Sequence, residues 1–329
     1  MEAPTSMPFD RFDPEAMGPG KYLLHLTLPG SEEIGLPTLL VNGGHPGRTL
    51  VALAGVHGDE FEGIVALQEV FARVKPERVH GRVLAVPVAN PPAVHAARRT
   101  SPQDGKNLAR VFPGRREGTM TERLAFALSE ALIASADFLL DLHSGGIAYE
   151  FPRLIGYDGR ETEPARASRA AAFAVGAPVL VAHPRIPSGR TISEAARRGI
   201  PWLYAEAPGG GRLDPRTLRF YVRGVLRLLA HLRILPGAVR RAPPRWHLIS
   251  EGNLDRAILS PASGLFVPQV RVLERVRSGQ PLGVVRDAFG RRVASVEAPA
   301  DGYILMLRAL PAVTAGDPIA LLASVYKGP

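Results

Sequence analysis

Between Tyr22 and about Leu235, short apolar runs alternate with stretches whose apolar residues recur at helical spacing. That alternation restricts the chain to an α/β fold, a mainly parallel or mixed sheet with helices over its faces. The pattern predicts strands at 22–28, 38–42, 50–54, 82–88, 138–142, 179–182 and 202–205. It predicts helices at 60–74, 121–133 and 215–232, with Ile64, Leu67 and Phe71 marking the buried stripe of the first. At 329 residues, 46% of them hydrophobic, the chain has material for this domain and a smaller one beside it.

The character changes after Pro236. Arg240-Arg241-Ala242-Pro243-Pro244-Arg245 reads as a linker, and helical spacing gives way to short β-prone runs. Pro261-Ala262-Ser263-Gly264-Leu265-Phe266 recurs 38 residues later, from Pro299, as Pro299-Ala300-Asp301-Gly302-Tyr303-Ile304. Val276-Arg277-Ser278-Gly279-Gln280-Pro281-Leu282 recurs as Val313-Thr314-Ala315-Gly316-Asp317-Pro318-Ile319. Two copies predict a two-fold β-sandwich whose half-motif resembles the barrel-sandwich fold of biotinyl and lipoyl carrier domains. No lysine lies in the repeat, which excludes the carriers' modified-lysine role and leaves a structural or gating module. The expected organisation is an N-terminal extension at 1–20, an α/β domain at 21–238 and a β-rich domain at 239–329.

Composition excludes several functions. With no cysteine there is no disulfide, thiolate zinc site, iron–sulfur cluster or cysteine nucleophile, which fits a reducing, cytoplasmic setting. Residues 1–20 lack the apolar core of a signal peptide. No apolar stretch approaches the roughly 18 residues that span a bilayer, so a soluble protein with no membrane partner is expected. The net charge of +9 comes almost wholly from arginine, since Lys21, Lys75, Lys106 and Lys327 are the only lysines. These arginines are scattered in pairs with little aromatic interleaving, the pattern of a solvated surface and not of a nucleic-acid partner. A homo-oligomer is left open.

Two segments carry chemistry. His57-Gly58-Asp59-Glu60 follows the predicted strand at 50–54, and Asp141-Leu142-His143-Ser144-Gly145 overlaps the end of that at 138–142. Ligands collect at the carboxyl ends of strands in such sheets, so the two can converge. His57, Glu60 and His143 together make the two-imidazole, one-carboxylate set that holds a single catalytic zinc and leaves a position for water. An H-x-x-E tetrapeptide alone is usually a surface accident; the second segment is what gives it weight. Asp141 and His143 point to the same side of a strand, so Asp141 is placed to orient the imidazole. Residues 89–118, rich in Pro, Gly and Arg, are too long for an idle connection and read as a binding loop. The remaining histidines have ordinary packed or surface roles as the simpler reading, His183 being the one with some claim to reach a substrate. There is no G-x-S-x-G and no P-loop.

These segments resemble the succinylglutamate desuccinylase/aspartoacylase family, amidohydrolases related to zinc carboxypeptidases. Gly55-Val56-His57-Gly58-Asp59-Glu60 is similar to its first metal segment and Asp141 to Gly145 to its second. Arg99 to Gly105 and Asn107 to Gly114 are similar to its substrate loop, and Gly199-Ile200-Pro201 through Glu206 and Gly209-Gly210-Gly211 to the segment of its general base. Within the family the motifs stand nearest N-acetyl-diaminobutyrate deacetylase-like members. The resemblance implies a zinc-carboxypeptidase-like catalytic domain followed by a β-rich part, and hydrolysis of a small, anionic N-acylated substrate. It implies Glu206 as general base and Arg99, with its neighbour Arg98 as rival, as stabiliser of the oxyanion. Arg110 would grip a substrate carboxylate, with Asn107 and Ser144 as further substrate contacts. Competing readings are a carboxypeptidase-like peptidase, built on the same metal chemistry, and a non-catalytic metal-containing binding protein.

The sequence departs from the family at Ala109, where Asn-Leu-Asn-Arg is usual and an amide helps the following arginine hold a carboxylate. A shifted or less carboxylate-dependent substrate is expected. An Ala109→Asn variant should therefore change the relative rates over a panel of N-acyl amino acids, and an unchanged profile contradicts that expectation.

Overall fold

The computed structural model describes residues 3–28, 31–239, 243–251 and 254–328. In chain order the main body comprises β1 (Thr5–Pro8), β2 (Gly20–Leu28), β3 (Ser31–Asn42), β4 (His45–Ala54), α1 (Glu62–Arg73), β5 (His80–Val86), α2 (Pro91–His95), α3 (Met120–Ala127), β6 (Phe138–Leu142), β7 (Tyr149–Glu150), β8 (Leu154–Asp158), α4 (Glu163–Val175), β9 (Val179–His183), α5 (Thr191–Arg197), β10 (Trp202–Glu206), α6 (Pro215–His231) and β11 (Trp246–Ile249). The hydrogen-bonded order is β1-β2-β3-β5-β4-β6-β10-β8-β9-β11. The sheet is mixed: β4, β6 and β10 are parallel neighbours, while β2, β3 and β5 pair antiparallel, as do β8 and β10.

The central strands read as continuous apolar runs because both faces of the sheet are covered. Leu50, Ala52 and Ala54 of β4, with Phe138, Leu140 and Leu142 of β6, join a core shared with α1, α4 and α6. Val51 and Leu53, with Leu139, face the opposite core, which takes in α3, α5 and the N-terminal Phe9 and Phe12. Within the stretch 1–20, β1 thus adds a parallel edge strand and two aromatic anchors to the sheet. The start of α6 is fixed by Pro215 in its first turn and by Asp214, whose carboxylate accepts from the Thr217 N–H at 2.9 Å.

Strand 138–142 falls where the pattern puts it, and the other predicted strands are found with ends shifted by a few residues, β3 starting earlier at Ser31. The helical pattern of 121–133 holds as α helix only to Ala127 and then loosens through a π turn to Leu132. Strand β8 and helix α4 escape the pattern for physical reasons. β8 is five residues interrupted by Gly156, whose missing side chain lets the Tyr204 ring lie against it. α4 packs with alanines (Ala165, Ala171, Ala172, Ala174), so it has no stripe of large apolar residues to announce it.

Beyond β11 come β12 (Ile258–Leu259), β13 (Gly264–Pro268), β14 (Arg275–Val276), β15 (Pro281–Arg286), β16 (Arg292–Glu297), β17 (Gly302–Arg308), β18 (Ala312–Val313) and β19 (Pro318–Val325). The repeat is visible in the pairing. Val276 of the first copy pairs with Gly302 of the second, and Val313 of the second pairs with Gly264 of the first. Equivalent residues Phe266 and Ile304, Val276 and Val313, Leu282 and Ile319 meet in one core between the two layers. One layer, β16-β15-β13-β18, stands as its own sheet, while the other continues the main sheet through β19 on β11 and β17 on β7. Among the described residues no helix is long and apolar enough to cross a membrane.

Leu53 of β4 is fully buried beneath the strand end that leads into His57. A Leu53→Ala variant should lose about 2–5 kcal/mol of unfolding free energy in a denaturant titration, whereas a loss under about 1 kcal/mol would show that this layer is not tightly packed.

Candidate active site

Parallel pairing sets β4, β6 and β10 in one register, with Ala54 level with Leu142 and Leu142 level with Ala205. The chain therefore leaves three adjacent strands at one edge, toward His57 and Glu60 from β4, at His143 from β6 and at Glu206 from β10. The turn after β4 depends on two glycines. Gly55 has φ +61°, in the left-handed region, and a Cβ on Gly58 would overlap the backbone carbonyl of Ala93 in α2.

His57, Glu60 and His143 converge, each offering a ligand atom within 4.8 Å of the others. Nδ1 of His57 lies 2.8 Å from Glu60 Oε1, and Nδ1 of His143 lies 2.9 Å from Glu60 Oε2. Each ring is held from behind through Nε2. His143 Nε2 meets Asp141 Oδ2 at 2.9 Å, and Thr191 Oγ1 donates to the same oxygen. His57 Nε2 meets Asn107 Oδ1 at 3.1 Å; that oxygen also accepts from the Ala109 N–H at 2.9 Å, so it is the ring that donates. Both imidazoles thus keep Nδ1 for the centre, the arrangement by which outer partners fix the tautomer of a metal ligand. Tyr221 further pins this edge by donating its hydroxyl to the His143 carbonyl.

The electrostatics fit a cation. Burial, reinforced by Arg99, pushes His57 down to about 4, which leaves it a neutral ring. A neutral His57 protonated on Nε2 turns a lone pair toward Glu60 Oε1, and two lone pairs at 2.8 Å repel unless positive charge lies with them. Burial opposes ionisation of Glu60, but its contacts with the His57 and His143 rings outweigh it and hold the carboxyl well below its usual range. Burial also opposes charge on His143, and there Asp141 and Glu60 prevail and raise it. Two imidazoles and a carboxylate, buried and gathered on one point, suit a divalent ion with an open position.

These groups line a pocket with Glu206, Arg99, Arg110, Arg190, Tyr149 and Tyr204. Arg99 reaches Glu60 Oε1 at 3.0 Å, whereas Arg98 is exposed and contributes its backbone carbonyl to the Gly58 N–H. Glu206 Oε2 is buried with no hydrogen-bond partner among the described residues, and burial, then Glu60, raises its carboxyl well above the ordinary range. Arg110 and Arg190 both approach Asp255, at 3.6 and 3.8 Å.

Two expected substrate contacts make other bonds in the structure. Asn107 stands behind the His57 ring, its amide oxygen accepting from His57 Nε2 and from the Ala109 N–H. Ser144 touches the pocket, but its hydroxyl donates to Glu62 at 2.8 Å and its N–H to Glu60 at 3.2 Å, so both are spent on holding the carboxylates. His183 ends β9 and supports Tyr204 by a 2.8 Å bond between its Nε2 and the Tyr204 hydroxyl. Sequence reasoning passed over Arg190, Tyr149, Tyr204 and Thr191. The one local signal was Gly189-Arg190-Thr191 at the start of α5, a glycine followed by two polar residues.

Residues 46–232 match the succinylglutamate desuccinylase/aspartoacylase catalytic domain. The chain is 34% identical over 296 residues to an N-alpha-acetyl-L-2,4-diaminobutyric acid deacetylase of Halomonas elongata, a match covering 89% of this chain and 86% of that protein. Among solved structures, a succinylglutamate desuccinylase/aspartoacylase from Rhodobacter sphaeroides gives a TM-score of 0.85 at 29% identity, over 96% of this chain and 98% of that one. The product-bound ectoine utilization protein EutE of Ruegeria pomeroyi gives 0.85 at 28% identity, over 95% and 98%.

If Asn107 and Asp141 hold the two rings as described, Asn107→Leu and Asp141→Asn should each weaken zinc binding about 10–100-fold in competition with a chromogenic chelator. Unchanged affinity in both would refute that support role.

Proposed function

This chain belongs to the succinylglutamate desuccinylase/aspartoacylase family, and from that premise we propose that it is a zinc-dependent deacylase hydrolysing the amide bond of a small N-acylated amino acid. The observation that carries this reading is the meeting of His57, Glu60 and His143 on one pocket wall with the unpartnered Glu206 carboxyl facing the same space. The name of the Halomonas relative specifies an N-acetylated amino acid, which supports that substrate class here.

His57, Glu60 and His143 would hold the ion. When bound, zinc supplies a Lewis acid that polarises the amide carbonyl and makes water acidic near neutral pH. Glu206 takes the proton released as water attacks and returns it to the departing nitrogen, turning an amide anion into a neutral amine. Its burial raises its proton affinity, which suits a group that must both accept and give. Arg99, fixed by Glu60 and lying 5.9 Å from the Tyr149 ring centroid, keeps a permanent cation for the oxygen that gains charge as the carbonyl becomes tetrahedral. Arg110 and Arg190 hold the substrate's carboxylate, and their shared approach to the Asp255 carboxylate is in keeping with that task.

Removing the base while keeping the ligands tests the assignment. Zinc-loaded Glu206→Gln should retain its metal and lose about 10²–10⁴-fold in kcat on N-acetyl amino acids. Full activity in that variant, or no amide hydrolysis by the zinc-loaded parent protein, overturns the proposal.

A further inference from the structure

One wall of the pocket is apolar and draws on the C-terminal strands as well as on the main body. Leu305 of β17 and Leu321 of β19 line it together with Phe151, Leu254 and Ile192. Leu305 reaches this wall because β17 is irregular. Along the β17–β19 pairing Ile304 stands opposite Leu322 and Met306 opposite Leu321, so Leu305 is an extra residue with no partner of its own. A regular strand would turn alternate side chains to opposite faces, but here Ile304 and Leu307 enter the module's own core while the consecutive Leu305 and Met306 both face the catalytic body. Bulges of this kind re-aim side chains beside sites.

Among the described residues, the carboxylates that line the pocket are turned to the reacting centre and its supports and not to a cationic substrate group. Glu60 is held between His57 and His143, Asp141 by His143 and Thr191, and Glu206 faces the reacting centre. Asp255, next to Leu254, already has Arg110 and Arg190 beside it. Three guanidiniums line the pocket, and an ammonium group on the substrate would meet them unpaired.

We infer that the C-terminal β module selects the substrate: Leu305 and Leu321 seat an uncharged apolar group, a branched aliphatic or aromatic side chain, on a ligand whose carboxylate is held at the arginines. The inference rests on the deacylase reading for the reaction, and separates this chain from the Halomonas relative, whose named substrate carries a second amine.

The test uses zinc-loaded full-length protein with N-acetyl-L-leucine, N-acetylglycine and N-alpha-acetyl-L-2,4-diaminobutyrate, measuring both initial rates and binding by calorimetry. The leucine derivative should exceed the other two in kcat/KM by roughly tenfold or more. Leu305→Ala and Leu321→Ala should each lower the leucine-to-glycine ratio by about tenfold, chiefly through KM; a ratio is insensitive to a fraction of misfolded variant. Preference for the diaminobutyrate derivative, or an unchanged ratio in both variants, overturns the inference and leaves the deacylase reading standing. If none is hydrolysed but the leucine derivative binds best and both variants weaken it, the seat stands and the deacylase reading falls; if none binds either, both fall.

Discussion

Glu60 is the constraint around which the molecule is arranged. Its carboxylate is almost fully buried, and a buried anion is costly unless charge and hydrogen bonds surround it. Here the His143 ring and the Ser144 N–H meet one oxygen and the Arg99 guanidinium the other, while the His57 ring faces the carboxylate to advantage with a cation between them. The partners come from three separate stretches of chain, so the site exists only when the sheet is formed. Removing any one of them leaves part of a buried negative charge uncompensated, which ties folding of this edge to the integrity of the centre.

The sheet supplies the convergence. Three parallel neighbours end together, so His57 in the turn past β4, His143 just past β6 and Glu206 at the end of β10 share that edge. A second ring of polar contacts then fixes orientation. Asn107 and Asp141 hold the imidazoles from behind, while Glu62 accepts from Ser144 and so steadies the backbone that follows His143. The loop after α2 brings Arg99 and Arg110 to the pocket and sets Asn107 behind the His57 ring.

Much of this was legible in the sequence because it rests on local pattern. Buried strands such as 50–54 and 138–142 announce themselves by unbroken apolar runs, and candidate metal ligands at strand ends follow from the fold class. Division of labour among the polar residues was not legible. Asn107 and Ser144 are residue types that suit substrate binding, and only the geometry reveals that their acceptors and donors are already committed. Arg190 could not be singled out among many arginines, since its relation to Arg110 arises from tertiary packing through α5. The repeat predicted the sandwich, yet nothing in it foretold that one layer would extend the main sheet or that a bulge at Leu305 would bring the module into the pocket.

The central claim is that His57, Glu60 and His143 share one divalent cation through Nδ1 of each ring. Anomalous diffraction from zinc-grown crystals at the zinc absorption edge tests it most directly. One strong peak within about 2.0–2.2 Å of His57 Nδ1, His143 Nδ1 and a Glu60 oxygen is the expected result. A peak bonded through Nε2, one displaced to other residues, or none at all would contradict the account.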